Sequence, residues 1–246
     1  MVDENGCAIG LPTLPNVPIE EPKTDCERLK EKTDDPAIKH KMDSIKKRVT
    51  IDHDVHETSV IVEKFKGKIS YSITQSSPNY QADGTMRSEN PIGSYDIAGM
   101  HNHPSGLPIF SYPDMVTFYK HYKLLEPFRK NEFSMFLFNY NGTSYALRMQ
   151  DLTALDTLFY GLDLDTKQGV ALAEKTVLEI YETEGKLNTK QNYTADMAEK
   201  MLMKVLNTKD FGSGNSVFLY QYENSQWKKL TLNPDGTIQK IPCPQP

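Results

Sequence analysis

Two histidines one residue apart, an aspartate after a ten-residue gap, and a proline- and glycine-containing connector make up the stretch AGMHNHPSGLPIFSYPDM, residues 98–115. Side chains alternate faces along an extended chain, so His101 and His103 fall on one side, about 7 Å apart at the backbone. Two imidazoles at that spacing can converge on one ion. Asp114 opens a run with helical period, and the bend of the connector can return its carboxylate to the same point. Around a divalent zinc ion, two neutral imidazoles and one carboxylate leave a net charge of about +1 and a fourth position open to water. That is the ligand count of a catalytic site, because a structural site is closed by four protein ligands.

The elements that must position these residues follow from period and turn chemistry. Residues 1–22 hold four prolines and no apolar period, so they read as an extended tail or linker, suited to a module attached to something upstream. DCERLKEKTDDPAIKHKMDSIKKRV reads as two helices broken at Asp34-Asp35-Pro36, with Ile38, Met42 and Ile45 forming one buried stripe of the second. From residue 57 the period changes to two. ETSVIVEKF and KISYSITQ form a hairpin across Lys66-Gly67, and a polar loop follows, SSPNYQADGTMRSEN. GSYDIAGM is a short strand leading into the histidines, DMVTFYKHYKLL has the helix period, and SMFLFNYNGTSYALRM is a hairpin whose Asn141-Gly142 suits a type I′ turn.

Beyond it, three segments carry apolar residues three and four apart. Val170, Val177 and Tyr181 mark one such face; Ala198, Met201, Leu202 and Val205 mark another, where the methionines read as core filling. VFLYQY, WKKLTL and a turn at NPDG complete a C-terminal meander. The expected fold class is α/β, a mixed sheet flanked by helices, with a C-terminal α+β extension. The domain reading is a tail over 1–22, the site-bearing domain over 23–165, and helices plus meander over 166–246, packed on the core or forming a lobe.

Bulk properties narrow the function classes. A net charge of −5, with no basic cluster interleaved with aromatics, excludes nucleic acid as an expected partner. No apolar run reaches the ~18 residues of a membrane span, and the N-terminus lacks the basic start and apolar centre of a secretory signal. Cys7, Cys26 and Cys243 show no C-x-x-C spacing. They are either three separate thiols or a Cys26–Cys243 staple with Cys7 left over. The first option leaves a cytoplasmic default; the second favours an extracellular or exported setting.

The string HNHPSGLPIFSYPD resembles the signature of the JAMM (MPN+, JAB) metallopeptidases at His101, His103, Pro104, Gly106, Ser111 and Asp114, and its HNHPSG start is similar to the RadC-like branch. The resemblance covers roughly residues 50–150. It implies a deaminase-like core, zinc held by His101, His103 and Asp114, and cleavage of a peptide or isopeptide bond in a protein or peptide by a metal-activated water. It also implies that Ser111 hydrogen-bonds the oxyanion; from pattern alone Ser111 is equally the N-cap of the next helix. The family needs an upstream glutamate as general base. Glu57, Glu63 and Glu89 are candidates. Glu57 and Glu63 share a face of one expected strand, and Glu57, 44 residues before His101, resembles the family arrangement better, although no family-typical glycine run follows it.

His53, His56 and His121 read as surface residues or supports behind the ligands, with His56 beside Glu57 within reach of substrate. Residues 76–93 are the expected substrate contact. An HNH nuclease spreads its histidines over a longer unit and does not suit an acidic chain. The alternative to a peptidase is a non-catalytic JAMM-like binding module in a secreted or phage-type assembly.

Overall fold

The computed structural model describes residues 22–75, 92–188 and 191–244. Most of the expected tail and most of the 76–93 loop, Glu89 included, lie outside them. In chain order the elements are α1 (Asp25–Asp34), α2 (Pro36–Thr50), β1 (Thr58–Phe65), β2 (Lys68–Gln75), β3 (Asp96–His103), α3 (Tyr112–Leu124) and the short α4 (Pro127–Lys130). They continue with β4 (Ser134–Asn139), β5 (Ser144–Met149), α5 (Leu152–Phe159), α6 (Lys167–Thr183), α7 (Ala195–Leu206), β6 (Val217–Glu223), β7 (Gln226–Leu232) and β8 (Ile238–Pro242).

All eight strands form one mixed sheet in the order β2-β1-β3-β4-β5-β6-β7-β8. Every neighbouring pair is antiparallel except β3 and β4, which run parallel because α3 provides the crossover between them. Alternation along the central strands feeds two cores. Phe136, Phe138 and Ala146 pack with Ile38, Met42 and Ile45 of α2, whereas Met135, Leu137, Tyr145 and Leu147 pack beneath α3, α6 and α7. Each fully buried side chain of this size contributes roughly 1.5–3 kcal/mol. β4 and β5, covered on both faces, are buried at every position. α3 is likewise buried on most of its circumference, lying between the sheet and α6.

The α/β class with helices flanking a mixed sheet therefore holds. The C-terminal meander does not form a lobe: β6 pairs directly with β5, so β6–β8 extend the same sheet. The helix break at Asp35 is as expected, since its carboxylate accepts the Ala37 and Ile38 amides and Pro36 takes the first helical position. Lys66 and Gly67 both have positive φ, the type I′ geometry of a two-residue hairpin. Asn141-Gly142 differs from the expectation. Only Gly142 is left-handed; the Gly142 amide donates to the Asn139 carbonyl and the Asn139 amide to Thr143, so the turn sits one residue earlier and ends in a glycine bulge.

Cys26 and Cys243 lie at disulfide distance with their Cα atoms 5.5 Å apart, which corrects the reading of three separate thiols. The link fastens α1 to the end of β8. Arg148, 3% exposed, reinforces the same junction by bonding Asp25 Oδ1 at 2.9 Å and the Asn131 carbonyl at 2.7 Å. No described helix is long and apolar enough to cross a membrane.

Candidate metal centre

β3 carries both histidines, with His101 opposite Ser59 of β1 and Leu137 of β4. Alternation leaves the two imidazoles on the face beneath α3, with ring centroids 5.1 Å apart. The chain then turns through Gly106, whose φ of +80° favours glycine, and runs back to the first turn of α3. Three carbonyls pin this connector. Leu107 meets His103 Nδ1 at 2.9 Å, Pro108 accepts from Asn139 Nδ2 at 2.9 Å, and Phe110 accepts from the Tyr181 hydroxyl of α6 at 3.2 Å. The Leu107 contact assigns the proton of a neutral His103 to Nδ1 and leaves Nε2 as the donor atom facing inward.

Asp114 faces both rings. Its Oδ1 is 3.1 Å from His101 Nε2 and its Oδ2 is 3.4 Å from His103 Nε2, and the three side chains are only 8, 12 and 14% exposed. The three ligand atoms lie within 4.8 Å of one another. Ligands about 2.0–2.1 Å from a tetrahedral ion stand roughly 3.3 Å apart, so the group fits a divalent metal. His101 Nε2 supports this: it is buried and, despite its closeness to Asp114, has no aligned hydrogen bond among the described residues.

Without an ion the cluster is an ion pair. Burial alone lowers the pKa of His103, but its hydrogen bond to Asp114 and the charges of Asp114 and Glu57 outweigh this and push it up to about 9. Burial raises the Asp114 carboxyl, and the two imidazoles overcome that and hold it well below the usual carboxylate range.

Ser111 occupies both of its expected places at once. It is the N-cap of α3, which begins two residues before Asp114, and it lines the cavity over the cluster. Its amide and hydroxyl both donate to Asp114 Oδ2, at 2.6 and 2.9 Å, fixing the carboxylate. Glu57 lines the same cavity of about 860 Å³. It precedes β1 rather than opening it; the bulge opposite Val62/Glu63 is an extra residue, Ile97, on β3, and β1 pairs with β2 without a break, so the alternation from Ser59 and Ile61, which line the cavity, to Glu63 is kept. Glu63 bonds Ser70 Oγ at 3.1 Å and does not line the cavity.

Residues that sequence reasoning did not single out complete the site. Asn102, between the two histidines, points to the opposite face and is fully buried. Its Oδ1 accepts the Thr58 amide at 2.7 Å and its Nδ2 donates to the His56 carbonyl at 3.0 Å, so it clamps the backbone on both sides of Glu57. A polar residue between two metal ligands in a strand was the available signal, since a buried amide must find partners. The start of α6 and the turn before it, through Asp165, Thr166, Val170 and Glu174, form one wall of the cavity. This wall gives residues after 166 a direct part in the site. His53 is exposed, and His56 Nδ1 bonds Asp54 Oδ1 at 2.6 Å. His121 is not a surface residue: it is 3% exposed and lines the inner end of the cavity.

No protein-family model, curated protein or solved structure matches this chain.

Proposed function

We propose that the chain is a zinc-dependent peptidase or isopeptidase of JAMM type, hydrolysing a peptide or isopeptide bond in a protein or peptide substrate. The observation that carries this reading is the convergence of His101, His103 and Asp114 on one point in a large cavity that Glu57 and Ser111 also line. A mixed sheet with two ligands on a central strand and the third on the crossover helix supports the JAMM-like core implied by the HNHPSG signature. Zinc suits two imidazoles and a carboxylate, and when bound it polarises a carbonyl and makes hydroxide available near neutral pH.

The chain's own residues divide the remaining work. Glu57, held in place by the Asn102 clamp, takes the proton of the attacking water and returns it to the leaving amine nitrogen. Ser111 donates its hydroxyl to the carbonyl oxygen as negative charge develops there, releasing its bond to Asp114. The Leu107 carbonyl keeps His103 in the tautomer that offers Nε2. The cavity accepts an extended segment of peptide and withdraws the reacting bond from bulk water.

The test compares the zinc-loaded wild type with Glu57→Gln on a diverse peptide pool and on isopeptide-linked substrates. The expected result is cleavage by the wild type and a loss of at least about a hundredfold in the variant with its metal content unchanged. A wild type that binds zinc and cleaves nothing, or a variant with full activity, would overturn the reading; the first outcome leaves a metal-binding module.

A further inference from the structure

Gly99 stands two residues before His101 on β3, so alternation puts the two on one face of the sheet, with Gly99 about 7 Å from that ligand along the strand. Its partners across the ladder are Ile61 of β1 and Met135 of β4, and all three line the cavity. Neither the backbone nor the packing asks for glycine here. Its φ is not positive, and the bulge between β1 and β3 lies further along the pair, at Val62/Glu63. A Cβ would meet only Ile61 Cδ1 at 3.6 Å and Phe133 Cζ at 3.7 Å, which is ordinary contact. Glycine inside a strand gives up packing and chain entropy, and where no bend or bulge requires it, it often marks a place that another molecule approaches closely.

The missing side chain leaves a gap between the sheet and α3, beside the metal cluster. α3 runs back over this face: Asp114 meets His101 near the end of β3, and His121 stands 3.9 Å from Asp96 at its start. The turn between them therefore lies over Gly99, and its Val116 and Thr117 line the cavity. Ile61, Met135 and Val116 are buried, so the walls of the gap are apolar. Burial pushes the His121 ring, at the inner end, down to about 4 and keeps it neutral at pH 7. Apart from Asp114 and Glu57 at the metal end, the charged residues lining the cavity are Lys120, Asp165, Lys167 and Glu174. They are half-buried or exposed on α3, on α6 and in the turn before it, and none belongs to the row of Ile61, Gly99 and Met135.

We infer that the gap over Gly99, walled by Ile61, Met135 and Val116, is the subsite for an apolar side chain on the substrate residue next to the scissile bond, and that Gly99 sets its depth. Apolar walls suit a side chain such as that of leucine and leave a charged one without a partner. The step of about 7 Å from His101 is one that a side chain spans from a backbone held at the metal. A larger residue at position 99 fills the gap without displacing a ligand, because it shares the face of His101 and His103 but stands beside them along the strand. That the occupant belongs to a peptide rests on the peptidase reading; the preference of the site for an apolar group does not.

The experiment titrates zinc-loaded protein, isotope-labelled at the methionine methyls, with N-acetyl-leucine hydroxamate and with N-acetyl-glycine hydroxamate, which share a metal-binding group and differ only in side chain. The expected result is at least tenfold tighter binding of the leucine compound, a shift of the Met135 methyl with that compound alone, and loss of the preference in Gly99→Val with zinc content unchanged. Gly99→Ala, whose added methyl meets only ordinary contacts, should reduce the preference in part and takes the place of the valine variant if that fails to fold. Equal binding of the two compounds by the wild type, an unmoved Met135 methyl, or a folded Gly99→Val protein that keeps the preference would overturn the subsite. Cleavage of peptides with no preference for leucine over glycine beside the cut bond would remove the subsite and leave the peptidase. Selective binding of the leucine compound by a protein that cleaves nothing would do the reverse.

Discussion

Metal binding at this centre must expel a proton, and the size of the effect follows from His103. A histidine ligates as the neutral imidazole, whereas in the metal-free protein Asp114 and Glu57 hold the His103 ring charged up to about pH 9. At pH 7 removing that proton costs about 2.7 kcal/mol, which weakens the apparent zinc affinity by roughly a hundredfold relative to the fully deprotonated ring. Asp114 is ionised throughout this range and adds no slope. The apparent Kd should therefore fall about tenfold from pH 7 to pH 8, with about one proton released per zinc bound. Competition with a chelator of known affinity gives the Kd, and calorimetry in two buffers of different ionisation enthalpy counts the proton. The stability of the metal-free protein moves the opposite way. A folded-state pKa raised from 6.5 to about 9 contributes on the order of 3 kcal/mol below pH 6.5, and this is lost as pH rises through 9. A zinc affinity that is flat from pH 7 to pH 8, with no proton released, would refute the reasoning.

Two other perturbations test the surrounding scaffold. Asn102→Ala leaves the Thr58 amide and the His56 carbonyl without their partner, so it should cost about 2 kcal/mol or more in urea unfolding. It should also lower turnover at least about tenfold through a loosened Glu57, with zinc stoichiometry unchanged because Asn102 faces away from the ligands; loss of the metal would contradict the assigned role. Cys26→Ser opens a link between residues 217 apart, for which chain entropy gives about 5 kcal/mol, the upper end of measured values. The melting temperature should drop by roughly 5–15 °C, and a drop under about 2 °C would show that α1 is held by Arg148 and packing alone.

The convergence of His101, His103 and Asp114 was legible because it depends on local rules. Strand alternation placed His101 and His103 together, and a proline- and glycine-bearing connector returned Asp114 to them. The Asp35-Pro36 break and the Lys66-Gly67 hairpin were legible for the same reason, since caps and tight turns are fixed by the residues within them. What could not be read depends on partners distant in sequence or on irregularities without a marker. The bulge at Ile97 that brings Asp96 towards His121 contains no glycine or proline. The cavity wall from α6 comes from about 60 residues downstream of the histidines, placed there by packing against α3. His121 lies among apolar residues of a helix buried on most sides, where the period alone does not mark which polar side chain faces a cavity.

The central claim is that His101, His103 and Asp114 hold one catalytic metal ion. Its most direct test is the metal content of the purified protein after zinc loading and dialysis, measured for the wild type and for His103→Ala. One equivalent in the wild type and a small fraction of that in the variant is the result the account predicts. A full equivalent retained by a folded variant, or none bound by the wild type, would contradict it.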